Sequence, residues 1–267
     1  AGGGGSEDSG GRSFPFDLRG PAVSVGPGCS ASLVALHLAR QAIESGEVDV
    51  AIAAAANLVL QPHVNIGYSR SGMLSAGARC RFGDSEAAGY VRSDGVAAVV
   101  LKPLDAAQAS GDPVRGVLLA TAVNADGKGS GQLATPSSDA QAELLETVYE
   151  RAGIDPARVP YVEAHGTGTR AGHPVELEAL GRVLGRGRDA DHPLVVGSVK
   201  SVIGHTEAAA GMAGLIKTLL ALEHGRIPAN LHLRNPSDSI AWDDLQVRVP
   251  TRSEERRVGK ECRSRWS

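Results

Sequence analysis

The sequence is poor in aromatic residues, which make up 3% of its 267 positions, and it holds only two methionines and three cysteines. The cysteines (Cys29, Cys80 and Cys262) are scattered, so they form neither a disulfide framework nor a CxxC metal knuckle. Their scarcity points to a reducing, cytoplasmic setting. No apolar run is long enough to span a bilayer; the longest, Val48 to Leu60, is interrupted by Asp49 and Asn57. The N-terminus is a Gly/Ser tract with neither a basic region nor an apolar core, and no signal peptide is read there. What is abundant is small: 34 glycines and many alanines, which imply close backbone packing and frequent tight turns. With 42% hydrophobic and 21% charged residues, the composition suits a soluble globular protein of one large domain or two smaller ones.

Both ends stand apart from this body. Residues 1–12 are low-complexity and are expected to be disordered. At Arg252 the composition turns abruptly Arg/Glu-rich, and residues 252–267 resemble the in-frame translation of a sequencing adapter rather than native protein. The alternative is a solvated basic tail that binds nucleic acid or membrane. The tail carries six Lys/Arg and three Asp/Glu, so without it 21 basic and 27 acidic residues remain, a net charge of −6. An acidic body argues against nucleic acid as the main partner.

Between these ends, strand and helix signals alternate. Strands are expected at Ala22 to Val25, Val48 to Ala54, Gly95 to Leu101, Val114 to Val123, Tyr161 to Ala164 and Leu194 to Val199. Helices are expected from Ser30 to Ser45, from Ser138 as cap to about Ala152 with Gly153 as stop, from Pro174 to about Leu184, and from Glu207 to Glu223. This order indicates an α/β architecture with mixed or parallel sheets. Strand–turn–helix sections follow both Cys29 and His205, a faint sign of internal duplication.

Three strand-end junctions concentrate reactive residue types. In AVSVGPGCSAS, Cys29 sits on a turn of small residues, as in a nucleophile elbow. The following helix start offers free N–H groups and a positive dipole end, which favour a thiolate. The alternative is a small buried core cysteine. In VEAHGTGT, His165 is followed by Gly and Thr, and the alternatives are a loop histidine satisfied by backbone or a weak phosphate-binding loop. In GSVKSVIGHTEAAAG, Lys200 and His205 precede a helix opened by Glu207 and could stabilise a developing oxyanion, or could be a surface lysine and a capping histidine.

One Cys, two His and one Lys at strand ends suit a thioester site, and here the sequence resembles the β-ketoacyl synthases of type I modular or iterative polyketide synthases. The segments FDLRGPAVSV, SLVALHLA, GMLSAGARCRF, GYVRSDGVAAVVLKPL, VNADGKGSGQLATPSSDAQAELL, EAHGTGT and GSVKSVIGHTEAAAGMAGLIK fall in the family's order. The resemblance covers residues 16–250, and EAHGTGT favours the polyketide branch. It implies a thiolase-like layered α-β-α-β-α fold with an incomplete N-terminal half, residues 13–251 forming a partial synthase domain. It also implies a decarboxylative Claisen condensation. Cys29 would take the acyl chain, and His165 and His205 would hydrogen-bond the carbonyl of a malonyl-type extender. Lys200 would tune the site electrostatically, Thr167 and Thr169 would bind the carrier's phosphopantetheine arm, and the Cys29 N–H would form part of an oxyanion hole. The implied partner is an acyl carrier protein within a homodimeric synthase, with no metal, dissociable cofactor, membrane or nucleic acid.

The chain departs from the family pattern at Gly26-Pro27-Gly28 (usually Asp-Thr-Ala), at His173 (usually Asp) and at Val202 (usually Asn). Much of the family's N-terminal half-domain and its glycine-rich oxyanion loop lie outside the sequence, so the polypeptide alone is expected to aggregate and to be inactive. Two further readings are a non-decarboxylating thiolase-like acyltransferase, which would use a second cysteine as base, and a chain-length scaffold partner, which would lack the active cysteine.

Overall fold

The computed structural model describes residues 14–128 and 135–255. The low-complexity segment 1–12 and most of the adapter-like tail lie outside the described residues.

A three-residue 3₁₀ turn, Gly28–Ser30, runs into helix α1 (Ala31–Glu44). Strand β1 (Ala51–Asn57) and helix α2 (Pro62–Arg70) follow, then β2 (Gly95–Leu101) and α3 (Leu104–Ala109). Next come α4 (Ser138–Ala152), β3 (Tyr161–Glu163) and α5 (Gly172–Leu180), which continues as a π turn over Gly181–Gly185. Beyond it lie β4 (Leu194–Gly197), the short α6 (Lys200–Ile203) and α7 (Ala210–His224), entered through a 3₁₀ turn, Glu207–Ala209. β5 (Arg226–Ile227), α8 (Trp242–Leu245), β6 (Val247–Arg248) and β7 (Glu254–Glu255) complete the described chain. The first residues of the adapter-like tail thus pair with β5 through their backbone.

β1 and β2 pair antiparallel over their full lengths, from Ala51↔Leu101 to Asn57↔Gly95. β3, β4 and β6 form a parallel sheet with β4 central, and all four residues of β4 are buried. A strand covered on both faces needs a continuous apolar run, and Leu194-Val195-Val196-Gly197 supplies one. Two cores result. One gathers Phe82, Leu177, Leu184, Leu194, Val196 and Val247 around the parallel sheet; the other packs Leu36 and Met212 on Ala53 of the hairpin sheet. Helix α7 serves both: Met212 fills the second core, while Lys217 pairs with Glu163 of β3 at 2.7 Å.

Most elements form where the sequence places them, with informative exceptions. The expected strands at 22–25 and 114–123 do not form. A strand needs a ladder partner, and among the described residues none pairs with either segment. The second instead lies along α1, where Thr121 meets His37 at 2.7 Å, Arg40 donates to the Leu119 carbonyl and Leu118 packs on the second core. Ser137 rather than Ser138 caps α4, its hydroxyl accepting from Ala140 N at 3.2 Å. α5 begins two residues before Pro174, still within the first turn, where a proline costs no intrahelical hydrogen bond. No helix among the described residues is long and apolar enough to cross a membrane.

Candidate active site

The starts of α1 and α7 meet, and this meeting builds the site. Ser32 Oγ accepts from Met212 N at 3.0 Å, locking the two helix starts together. Cys29 and His205, one just before each helix, are thereby brought into contact, with Cys29 Sγ 3.2 Å from His205 Nε2. The Gly26-Pro27-Gly28 elbow does not disturb this contact. Pro27 sits at φ −79°, which its ring permits, and Gly28 takes the left-handed φ of +78° that the turn requires.

His205 is held from several sides. Its backbone N–H donates to Val91 O at 2.7 Å, its carbonyl accepts from Ser93 N at 3.0 Å, and Tyr90 stands edge-on to its ring, centroids 4.9 Å apart. Its Nδ1 accepts from the backbone N–H of Glu207 at 3.1 Å. A neutral imidazole carries one proton, so that acceptor role places the proton on Nε2, facing Cys29. His205 therefore offers a hydrogen bond to sulfur, or to an oxygen bound there, and is not arranged to remove the thiol proton.

His165 completes the cluster. Its ring lies edge-on to His205, centroids 5.4 Å apart at 83°. The loop that carries it is clamped by Glu176 of α5, whose carboxylate accepts from His165 N at 2.6 Å and Gly166 N at 2.8 Å. At Gly166 (φ +50°) a Cβ would come within 2.5 Å of Ser198 Cβ, so only glycine lets this loop lie against the turn after β4. Glu163 performs a parallel task, accepting from Val199 N at 2.5 Å beside Lys200. Lys200 is buried and lies within electrostatic reach of Cys29, His165 and His205. Thr167 is buried, its hydroxyl 3.4 Å from that of Thr169, which also accepts from the N–H of Gly172, the first residue of α5.

Burial dominates the electrostatics. It pushes the Cys29 thiol up, helped by Glu207 and opposed by Lys200 and by the residue's own N–H. The expected helix-start activation is thus outweighed, and the resting group is a thiol. Burial first, then the Lys200 charge, pushes His205 down to about 3. His165 is open to solvent at the mouth of the site, but crowding by protein, Lys200 and His205 also push it below the ordinary histidine range. Both imidazoles are neutral near pH 7. Lys200 is pushed down by burial, while Glu176 and then Glu163 hold its charge in place.

These placements have measurable consequences for stability. Folding excludes the proton that His205 would take in the unfolded chain between about pH 6.5 and pH 3, so stability falls as pH falls through that window. His205→Asn is expected to flatten the acid limb by up to about 1.4 kcal/mol per pH unit, the value of one proton; denaturant unfolding at pH 4 to 7 measures it, and equal slopes would refute the assignment. Glu176→Ala strips the buried Gly166 amide of its acceptor, whereas solvent can reach the His165 amide. The expected loss is about 1–3 kcal/mol, read from the same unfolding curves.

Of the three departures from the family pattern, Val202 is exposed. His173 is buried in the first turn of α5, with its Nδ1 lacking a hydrogen-bond partner. Glu176, Glu163, Tyr90 and Arg92 escaped the sequence reading. The one available signal was Glu176, an acidic residue early in the helix after HGTGT.

A cysteine in contact with one of two edge-on imidazoles, with a buried lysine within electrostatic reach, at the junction of two helix starts in an α/β fold, is an arrangement suited to thioester chemistry. The beta-ketoacyl synthase N-terminal domain matches residues 8–107 and the beta-ketoacyl synthase C-terminal domain matches residues 115–234. The chain belongs to the β-ketoacyl synthase family and is a segment of a polyketide-synthase ketosynthase domain. It is 50% identical over 237 residues to a phenolphthiocerol/phthiocerol polyketide synthase of Mycobacterium tuberculosis, covering 89% of this chain and 13% of that protein. It is 48% identical over 235 residues to the highly reducing polyketide synthase poxF of Penicillium oxalicum, covering 88% of this chain and 9% of that one. Among solved structures, the oxazolomycin ketosynthase domain OzmH KS7 of Streptomyces albus JA3453 superposes with a TM-score of 0.90 at 38% identity, covering 96% of this chain and 45% of that one. The ketosynthase from module 6 of the bacillaene synthase of Bacillus subtilis 168 gives 0.88 at 37% identity, covering 92% and 44%. The chain thus spans about a tenth of these curated relatives and just under half of these solved ketosynthases.

Proposed function

We propose that the enzyme carrying this segment joins an acyl group held on Cys29 to a malonyl-type extender by decarboxylative Claisen condensation. The observation that carries this reading is the 3.2 Å contact of Cys29 Sγ with a His205 whose Nε2 bears the proton, beside a neutral His165. In the first half-reaction the Cys29 sulfur forms a thioester with the incoming acyl carbonyl; the bond to the carrier sulfur breaks, and the thiol proton leaves with that sulfur. In the second, the extender's carboxylate departs as carbon dioxide and its electron pair becomes an enolate. His205 Nε2–H and His165 donate to the enolate oxygen. The enolate carbon then attacks the acyl carbonyl, and the Cys29 thiolate leaves. The released carbon dioxide draws the reaction forward, so no metal or dissociable cofactor is called for.

Thr167 and Thr169, on the loop that carries His165, are assigned to the phosphopantetheine arm of an acyl carrier protein, and the Cys29 N–H to the oxyanion hole. We place the enzyme in the cytoplasm as a homodimer within a multidomain synthase. Retention of Cys29 favours a synthase over a scaffold partner. Cys80 is buried, its sulfur accepting from Val91 N, which argues against a second-cysteine acyltransferase. Incubating the full-length synthase with an acyl thioester and mapping the adduct by mass spectrometry tests the reading. Acylation of Cys29 is expected, and its absence would favour the scaffold.

A further inference from the structure

Glu207 opens the 3₁₀ turn that leads into α7 in an unusual backbone conformation. It is a non-glycine residue at φ +42°, in the left-handed region that costs about 1 kcal/mol or more unless its surroundings enforce it. Its carboxylate is clamped by Arg92 through two bonds, Nε to Oε1 at 2.5 Å and Nη2 to Oε2 at 2.7 Å. The pair is largely withdrawn from solvent, with side chains 9% and 15% exposed. Arg92 is itself fixed: Nη1 donates to Asn65 Oδ1 at 2.5 Å, and its guanidinium stands 5.3 Å from the Tyr68 ring. Its main chain bridges that of His205, whose N–H and carbonyl bond the residues on either side of it. The segment Val91–Ser93 therefore holds the backbone of His205, while the side chain of its middle residue, Arg92, holds that of the residue whose N–H reaches His205 Nδ1.

We propose that Arg92 and Glu207 are positioning residues, an ion pair that holds the left-handed turn at Glu207 so that its N–H occupies His205 Nδ1 and keeps the imidazole proton on Nε2, facing Cys29. The role rests on the condensing function proposed above, in which Nε2–H is the donor to the reacting oxygen. Without the clamp, Glu207 relaxes toward negative φ, its N–H swings away, and the proton is free to move to Nδ1. The ring would then present an acceptor lone pair to an oxygen that needs a donor.

The test reads the tautomer and the chemistry separately, in the full-length synthase that carries this segment. Histidine ¹⁵N spectra, with His205 assigned by its loss in His205→Asn, are expected to show Nε2–H in the wild type. Arg92→Ala and Glu207→Ala are expected to yield a tautomer mixture and to slow decarboxylation of malonyl-pantetheine on the order of tenfold to a hundredfold, with Cys29 acylation reduced less. Glycine adopts the left-handed turn without help, so Arg92→Ala combined with Glu207→Gly is expected to restore Nε2–H and much of the rate. That rescue distinguishes positioning from mere stability, and it remains readable if Arg92→Ala alone fails to fold. Unchanged His205 spectra and rates in folded Arg92→Ala and Glu207→Ala would overturn the proposal, as would a double variant no better than either single one. A wild type that shows Nε2–H but neither decarboxylates nor condenses would refute the condensing function and leave the tautomer assignment standing.

Discussion

Cys29→Ala is expected to abolish the acyl-enzyme and all condensation while leaving malonyl decarboxylation measurable, and His165→Ala is expected to depress decarboxylation, and condensation with it, while leaving acyl transfer to Cys29. In the proposed reaction the two half-reactions use different atoms of one cluster. Acyl transfer needs the Cys29 sulfur, and no other group in the cluster can take that part: Cys80, the other described cysteine, is buried with its sulfur bonded to Val91 N. Decarboxylation needs donors for an oxygen that gains charge, and these are imidazoles held neutral, His205 by burial and Lys200, His165 by protein crowding and Lys200. Removing one oxyanion donor costs on the order of a hundredfold to a thousandfold in rate. His165→Ala should therefore lower carbon dioxide release by that factor while intact-mass spectra still show acyl transfer to Cys29. His205→Ala should impair both steps, because its Nε2–H also touches the sulfur. Equal loss of both half-reactions in His165→Ala would show that His165 shapes the site instead of serving one step.

The raised Cys29 pKa sharpens this expectation. Alkylation of Cys29 by iodoacetamide near pH 7 should be slow, since burial outweighs the neighbouring Lys200 charge and the resting thiol stays protonated. The helix start, which on sequence grounds promised a thiolate, is here only a three-residue 3₁₀ turn before α1. Burial raises the thiol's pKa more than Lys200 and the residue's own N–H lower it.

This contrast shows what kind of information the sequence carried. Elements whose signal is local and whose partner lies nearby were legible: β2 spans Gly95–Leu101 and α4 ends at Gly153 in the left-handed conformation, both as read from pattern and turn chemistry. The segment 114–123 has the composition of a strand but not the partner, and partnership is a property of the whole fold. Within the site, Cys29, His165, Lys200 and His205 were legible because strand-to-helix junctions are where backbone turns expose side chains. The contact of Cys29 with His205, 176 residues apart, was reachable only through family resemblance. The roles of the supporting carboxylates were hidden for another reason. Glu207 was legible only as a helix opener and Glu176 only as an acidic residue early in its helix, while Glu163 carried no signal, because a sequence does not show which backbone amides or cations a glutamate binds.

The second large effect concerns the outer face of the β1–β2 sheet. In register, Ile52 faces Val100, Ala54 faces Ala98 and Ala56 faces Val96, and all six side chains are exposed. Val96 is 75% exposed and Val100 69%, with Leu60 at 78% just beyond the strand. The opposite face of the same strands packs Ala53, Ala97 and Val99 into the second core. An antiparallel sheet with one face in water normally alternates apolar with polar residues, and a contiguous apolar face is unusual on a monomer. Residues 13–251 produced alone are therefore expected to bind a hydrophobic dye and to elute as oligomers or aggregate, without condensing acyl and malonyl thioesters. Ile52→Thr, Val96→Thr and Val100→Lys together should raise the monomer fraction while leaving the melting temperature within a few degrees, because these side chains touch no core. A soluble, dye-silent, condensing monomer would refute this expectation. A soluble fraction unmoved by the triple substitution would show that association arises elsewhere, the exposed Val114, Val117 and Leu119 being the next surface to test.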